Sequence, residues 1–271
     1  MSSPPSANST ASLFASANAL ISSWRDALSL SPPEFRLVLI ACTLTAANFP
    51  KLLVPLVHQA LNDIETGSLV VPAINPTPTT TTSDSSSSPG TQLLETQVRF
   101  IRRLREGMFK GSVLCGGPYG INALGAVNFA LSPELSAAVN AAGPVRGPHN
   151  TATPEKYQQR GRELFQTIYQ HHTEPILTKI GNSSKDLVEG ILRDTYGKVL
   201  SDTTLISIPE TELCLVASLV PLNVPPQLKS HVYGSRNVGV PMEQVQQVVA
   251  VAESITQWVH SQSSNSDKSS L

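Results

Sequence analysis

The chain has 271 residues, of which 40% are hydrophobic and 14% are charged, and its formal net charge is −1 at pH 7. This length is sufficient for one large domain or two small ones. Because the net charge is close to zero, no global field favours binding to nucleic acid, and we predict no nucleic-acid partner.

The N-terminal quarter is predicted to begin disordered and then form helices. Residues 1–12 are mostly Ser, Pro, Asn and Thr and are expected to be disordered. Residues 13–75 show apolar side chains at helical spacing. The most apolar stretch, residues 37–50, is shorter than the roughly 20 residues that cross a bilayer. We therefore predict a buried helix there and no membrane span.

A change of composition separates this segment from the remainder of the chain. Residues 76–92 consist largely of Ser, Thr and Pro and are expected to form a flexible loop, because they have little apolar surface to offset the entropy of ordering. Residues 93–262 show helical periodicity and no sustained alternation, which predicts an all-α domain. Residues 263–271 are expected to form a disordered tail.

Several helix boundaries follow from local sequence signals. Gly116-Gly117-Pro118 ends a helix, and Thr153-Pro154-Glu155 begins another. Ser184 is placed to cap the next helix, with Gly197 after its end. Glu210 stands three residues after Ser207, the spacing of a capping box.

A run of basic residues lies in the first helix of the 93–262 region. On a helix, Arg99, Arg102, Arg103 and Lys110 partly share the face opposite the apolar one, so the run forms either a solvated face or a contact for an anion or acidic substrate. Its members are Arg99, Arg102, Arg103, Arg105 and Lys110.

The cysteines and histidines do not form a metal or disulfide pattern. Cys42, Cys115 and Cys214 are far apart with no Cys-x-x-Cys, so we predict no disulfide and a reducing compartment. His171 and His172 are adjacent and cannot share a metal as a helical pair at i and i+4 does. No glycine-rich loop follows a strand, and we predict no metal and no nucleotide cofactor.

The C-terminal third places a carboxylate and an imidazole on successive helices. Glu212 lies in a helix that begins near Ile208, and His231 follows 19 positions later in a helix opened by Pro225-Pro226. The carboxymuconolactone decarboxylase / alkylhydroperoxidase D-like family, which this segment resembles, has the same separation, and the resemblance implies that the two side chains face each other within hydrogen-bonding reach. There the carboxylate would orient the imidazole for general acid/base chemistry. The alternative is a glutamate that stabilises its helix dipole and a structural histidine.

This pattern resembles the carboxymuconolactone decarboxylase / alkylhydroperoxidase D-like family, whose core is a helical hairpin with a glutamate and a histidine. The matching residues are Glu212, His231, Gly239, Glu243 and Val245. Residues 104–124 resemble the first half of fungal members, which carry two related helical halves. The resemblance implies the family's helical bundle with an extra N-terminal helical layer, and a homo-oligomer.

The resemblance also implies which chemistry is retained. The two cysteines of the peroxidase branch fall on Val224 and Gln227, which cannot form a disulfide. The decarboxylase branch, which acts by proton transfer on a lactone acid, needs only the Glu/His pair. We therefore expect acid/base chemistry on a small lactone or carboxylic acid of unknown identity, with His231 and Glu212 as catalytic residues. The alternatives are a non-catalytic oligomeric binding protein and residual peroxidase activity through Cys115 or Cys214.

Assembly and location give two further predictions. The last helix carries a wide stripe of valines and Ile255, which predicts an oligomer through this helix or through residues 93–115, unless the N-terminal helices cover the stripe. The tripeptide Ser269-Ser270-Leu271 resembles the peroxisomal signal Ser-Lys-Leu except at its middle position. We expect a peroxisomal or cytosolic protein, since residues 1–25 make a poor mitochondrial presequence.

Overall fold

The computed structural model describes residues 7–73, 88–147 and 152–268. In these ranges the chain is helical and has no β-strand, so the predicted all-α class is confirmed. The helices are α1 (Ala7–Ala27), α2 (Pro33–Ala46), α3 (Leu53–Glu65), α4 (Pro89–Cys115), α5 (Gly117–Phe129), α6 (Pro133–Ala141), α7 (Pro154–Tyr169), α8 (Thr173–Ser183), α9 (Lys185–Glu189), the π-helix (Gly190–Leu200), α10 (Ile208–Leu222), α11 (Pro225–Asn237) and α12 (Met242–Lys268). Within the part of the chain described, none of these helices is both long and apolar enough to cross a bilayer.

Side-chain caps begin the helices where the sequence predicts them. Thr153 accepts a hydrogen bond from the Lys156 amide at the start of α7, and Ser184 caps α9 in the same way. Ser207 and Glu210 form the predicted capping box, in which each side chain accepts from the other residue's backbone N–H. These hydrogen bonds satisfy backbone donors that lack a partner inside the helix.

Three predicted boundaries are wrong by a few residues. Helix α1 begins at Ala7 and α12 continues to Lys268, so both predicted tails overlap helices. A helix that is already formed extends at low cost, because each added residue gains one hydrogen bond. Helix α4 begins at Pro89, inside the predicted loop 76–92, because Ser88 caps it. The remaining parts of the two tails and the loop lie outside the described residues.

Gly197 does not end a helix as predicted, because α9 continues through it as the π-helix. Gly197 and Gly161 lie where the π-helix and α7 touch backbone to backbone. A Cβ at Gly197 would overlap the Tyr157 carbonyl, and one at Gly161 would overlap the Leu192 carbonyl. The two glycines therefore permit this close approach of the helices.

The largest part of the core is built around α2. Nearly every residue of α2 is buried, and the helix packs against α4, α10 and α12. The N-terminal segment, predicted as a layer added to the bundle, thus places one of its helices in the middle of the bundle. A smaller apolar cluster lies between α7, the π-helix and α10, and includes Leu164, Phe165, Ile168, Leu192 and Leu215. Helix α10 therefore lies between two cores.

The apolar stripe of α12 is covered within the chain. Val245, Val248 and Ile255 are fully or almost fully buried, and α12 packs on α2 and α10. Trp258 makes edge-to-face contacts with Trp24 of α1, at 6.0 Å between ring centroids. The N-terminal helices thus cover the apolar stripe of α12, which was the reason to predict an oligomer contact through this helix. This agrees with the alternative, in which those helices cover the stripe. The homo-oligomer itself stays a prediction.

Candidate active site

The structure brings Glu212 and His231 together. Nδ1 of His231 lies 3.0 Å from Oε2 of Glu212, across the interface of α10 and α11. Both residues are buried, with relative exposures of 0% for Glu212 and 4% for His231. Because a carboxylate only accepts, Nδ1 carries the hydrogen, which leaves Nε2 of a neutral imidazole as an acceptor.

The local sequence explains how α10 and α11 meet at this point. Asn223 ends α10 in a left-handed conformation, with φ 53° and ψ 50°, and Pro225 begins α11 two residues later. Gly234 follows His231 by one turn and faces the carboxylate. A Cβ at Gly234 would lie 2.8 Å from Oε2 of Glu212, so glycine leaves the space that the carboxylate occupies.

Two tyrosines extend the pair into a chain of four side chains, which we call the His231 chain. The Tyr169 hydroxyl lies 3.2 Å from Nε2 of His231, and the Tyr196 hydroxyl lies 2.7 Å from that of Tyr169. With a neutral imidazole, every bond runs one way: Tyr196 donates to Tyr169, Tyr169 to His231, and His231 to Glu212. Protonation of His231 lets Nε2 donate to Tyr169, and Tyr169 can then donate to Tyr196.

Sequence reasoning did not find the tyrosines. Tyr169 is the last residue of α7, and Tyr196 lies in the π-helix, whose register a periodicity of 3.6 residues does not describe. Both rings pack on Phe165, at 4.2 Å for Tyr169 and 4.9 Å for Tyr196 between centroids. Burial raises the pKa of each phenol, and the Glu212 carboxylate raises it further. Both hydroxyls therefore remain protonated donors at neutral pH.

A buried oxygen without a donor and an unusual backbone conformation occur in or beside the His231 chain. Oε1 of Glu212 is buried, and no hydrogen-bond donor among the described residues reaches it. A buried acceptor without a donor costs free energy, about 1–3 kcal/mol in typical cases. Gln170, next to Tyr169, has φ 48° and ψ −123°, a backbone conformation that favours glycine. Unsatisfied groups and strained backbone are typical of functional sites.

The other positions of the resemblance lie outside the His231 chain. Gly239 has φ 95° in the turn between α11 and α12, a conformation that suits glycine. Val245 is buried in the large core, while Glu243 is exposed in the first turn of α12. Gln227, which stands where the peroxidase branch of the family has one of its two cysteines, is exposed at the start of α11.

Two members of the basic run are buried rather than on a shared outer face, which corrects the prediction. Arg103 pairs with Glu34 of α2 at 2.5 Å and with Glu210 of α10 at 2.6 Å, and it donates to the Leu205 carbonyl. Its partners are distant in sequence, so the pattern of α4 alone did not indicate them. This network joins α2, α4 and α10.

Lys110 is the second buried cation and is fully enclosed. Its Nζ donates to the carbonyls of Leu200 and Asp202, at 3.2 and 2.6 Å, and to the Thr211 hydroxyl at 2.8 Å. Burial lowers its pKa to about 8, although Glu106, 3.8 Å away, favours the charged form. Thr211 precedes Glu212, so Lys110 and His231 approach different faces of α10.

The thiols are poorly suited to peroxide chemistry. All three cysteines are free. Burial raises the pKa of Cys115 to about 11 and raises that of Cys214 well above its usual value. A thiol that stays protonated is a poor nucleophile. Cys42 and Cys214 nevertheless lie near each other, since a Cβ on Gly107 would be 3.5 and 3.2 Å from their sulfurs.

Comparison with known proteins finds similar proteins in two yeasts. Over 154 residues it is 34% identical to Peroxisomal protein 2 of Schizosaccharomyces pombe, covering 57% of this chain and 68% of the relative. Over 179 residues it is 30% identical to Peroxisomal protein 2 of Saccharomyces cerevisiae, covering 60% of this chain and 63% of the relative. No family model and no solved structure matches the chain. The chain belongs to the same family as Peroxisomal protein 2 of Schizosaccharomyces pombe.

Proposed function

We propose that this chain is a carboxymuconolactone decarboxylase-like protein that moves a proton on a small lactone or carboxylic acid, with His231 as the acid/base and Glu212 orienting it. The observation that carries the proposal is the buried 3.0 Å hydrogen bond between Nδ1 of His231 and Oε2 of Glu212. The family resemblance supplies the reaction class, and the loss of the cysteine pair removes its redox branch.

The proposed decarboxylation requires the transfer of one proton to the carbon that loses CO2. When a carboxylate leaves as CO2, its bonding electrons stay on the carbon, which must then gain one proton. A protonated His231 supplies that proton, and Glu212 stabilises the imidazolium before transfer. Tyr169 and Tyr196 continue the hydrogen-bonded path from Nε2, and the imidazole takes up a proton from solvent when the product leaves.

The names of the relatives support a location for this activity. Two relatives from different yeasts are called Peroxisomal protein 2, and we propose that this chain also resides in the peroxisome. Expression of the chain with an N-terminal fluorescent tag tests the proposal. We expect the signal to coincide with a peroxisomal marker, and a diffuse cytosolic signal would contradict it.

The catalytic proposal is tested by CO2 release from γ-lactones that carry a carboxylate, with carboxymuconolactone as the first probe. We expect His231→Gln to lower the rate by about 10²–10⁴-fold, the usual contribution of a general acid or base. Glu212→Gln should lower it less, because the imidazole remains. His58→Gln is the matched control, since His58 is exposed and bonds only the Ala130 carbonyl among the described residues.

A non-catalytic binding protein is the second candidate, and one observation favours it. Both ring nitrogens of His231 already have partners inside the protein, as in a histidine that serves only structure. In that case no probe lactone would release CO2 with the wild-type protein. His231→Gln would then lower only the melting temperature, and this pair of results would overturn the catalytic proposal.

A further inference from the structure

A groove that contains no residue of the His231 chain lies along α4. Residues of α6 and of the turn after α6 form its other wall. Its volume is about 570 Å³, within the range of roughly 300–1,000 Å³ that small-molecule sites occupy. Three arginines and one glutamate line it, so its formal charge is +2 in a chain whose net charge is −1. We call it the arginine groove; its charged side chains are Arg102, Arg105, Glu106 and Arg146.

Arg105 is held in place without a counter-ion. Its guanidinium donates to Oδ1 of Asn128 at 3.1 Å and to Oδ1 of Asn140 at 3.5 Å. These amide oxygens orient the guanidinium but do not neutralise it, and no carboxylate pairs with Arg105 among the described residues. Burial lowers the pKa of Arg105, because the surrounding protein solvates the charge less well than water. An anion would relieve this cost.

Arg102 adds a second uncompensated charge. It precedes Arg105 by three positions on α4, so both side chains project on one side of the helix into the same groove. In the described part of the chain, Arg102 has no hydrogen-bond or ion-pair partner. Each guanidinium can donate two parallel hydrogen bonds to a carboxylate.

The single acid of the arginine groove does not compete with such a ligand. Glu106 is buried and receives two hydrogen bonds from Arg146, and Lys110 lies 3.8 Å behind it. Arg146 in turn lies over the Phe109 ring, 5.3 Å from its centroid. Glu106 is thus already neutralised by Arg146 and Lys110, whereas Arg102 and Arg105 have no carboxylate partner among the described residues.

The remaining wall is largely apolar, which suggests a ligand with a hydrocarbon body. Phe109 of α4, Leu124 of α5 and Val139 of α6 line the groove beside the arginines. We propose that the arginine groove binds a small organic carboxylate with an aliphatic chain. The carboxylate pairs with Arg102 and Arg105, and the chain lies on the apolar wall. This binding does not depend on the chemistry proposed for His231.

Calorimetric titration of the full chain with octanoate tests the inference, and 1-octanol serves as the uncharged ligand. We expect saturable binding of octanoate and at least about tenfold weaker binding of 1-octanol. Arg105→Gln and Arg102→Gln should each weaken octanoate binding about tenfold or more. Arg99→Gln removes the same charge from the same helix outside the groove lining, and it should bind as the wild type does.

The outcomes separate this inference from the proposed reaction. His231→Gln should bind octanoate as tightly as the wild type, so loss of catalysis and loss of groove binding are independent results. Absence of saturable octanoate binding would overturn the inference. Equal binding by wild type, Arg102→Gln and Arg105→Gln would overturn it too, as would equal affinity for octanoate and 1-octanol. Unchanged melting temperatures would show that the variants are folded.

Discussion

The two sides of α10 both bury ionisable side chains, but they use different kinds. On the side of α2 and α4, Arg103 and Lys110 are held by carboxylates, a hydroxyl and backbone carbonyls. On the side of α11, Glu212 bonds His231, which leads to Tyr169 and Tyr196. We call these the cation side and the His231 side.

The difference shows that buried polarity alone does not indicate a reaction. A guanidinium keeps its proton at any physiological pH, so the Arg103 network can hold helices together but cannot transfer a proton. On the His231 side, an imidazole is hydrogen-bonded to a carboxylate and to a pair of phenols, so a proton can move along the chain. A buried carboxylate oxygen without a donor occurs on both sides, at Glu212 and at Glu34, so it does not distinguish them. We therefore expect substitutions on the cation side to affect stability most, and those on the His231 side to affect chemistry.

The largest effect on stability is expected for Arg103→Met. The substitution leaves Glu34 buried without its cation and removes a partner of Glu210. Breaking a buried pair in this way typically costs about 3–5 kcal/mol of the free energy of unfolding. Urea denaturation measures the loss. Arg162→Met breaks the exposed pair with Glu174 and should cost less than about 1 kcal/mol; equal losses would remove the distinction between the two pairs.

Lys110 should make stability depend on alkaline pH. The unfolded lysine holds its proton up to its ordinary pKa of 10.5, whereas the folded one releases it at about 8. Between these values the unfolded state binds more protons, so raising the pH favours folding, by about 3 kcal/mol across the window. Denaturation of wild type and Lys110→Met at pH 8 and above tests this. The difference between them should change with pH, and a constant difference would contradict the prediction.

Gly197→Ala should disturb the His231 side through its backbone. The new Cβ would overlap the Tyr157 carbonyl and separate the π-helix from α7, which carry Tyr196 and Tyr169. We expect a loss of about 1–3 kcal/mol, as for other overpacked sites. Gly190→Ala is the matched control, because its Cβ would meet no atom within 4 Å. If both variants unfold at the same urea concentration, the close approach of α7 and the π-helix is not required.

The smallest effect is expected for Tyr196→Phe. It removes the hydroxyl at the end of the His231 chain and leaves Tyr169 with His231 as its remaining partner. One lost buried hydrogen bond costs about 1 kcal/mol. Tyr233→Phe, at a tyrosine that is 53% exposed, should leave stability unchanged. A loss of several kcal/mol for Tyr196→Phe would mean that the chain is primarily structural.

The Glu212/His231 contact was predictable because the separation of the two residues matches that of the family the chain resembles, and because the helix boundaries around it are set locally. The capping box at Ser207 and Glu210 fixes where α10 begins, and Pro225 fixes where α11 begins. Two antiparallel helices joined by a short turn then bring the two side chains together. The partners of Arg103 and Lys110 were not predictable, since they come from segments far along the chain, and the basic run was wrongly assigned in part to an outer face.

The sequence by itself determined the all-α class, most helix starts and the pairing of Glu212 with His231, because caps, prolines and apolar periodicity act over a few residues. Only the tertiary structure decided that α2 lies at the centre of the bundle, that Tyr169 and Tyr196 reach His231, and that the α12 stripe is covered. These features depend on which helices pack together, and packing between distant segments follows from the shape and burial of whole surfaces rather than from any local pattern.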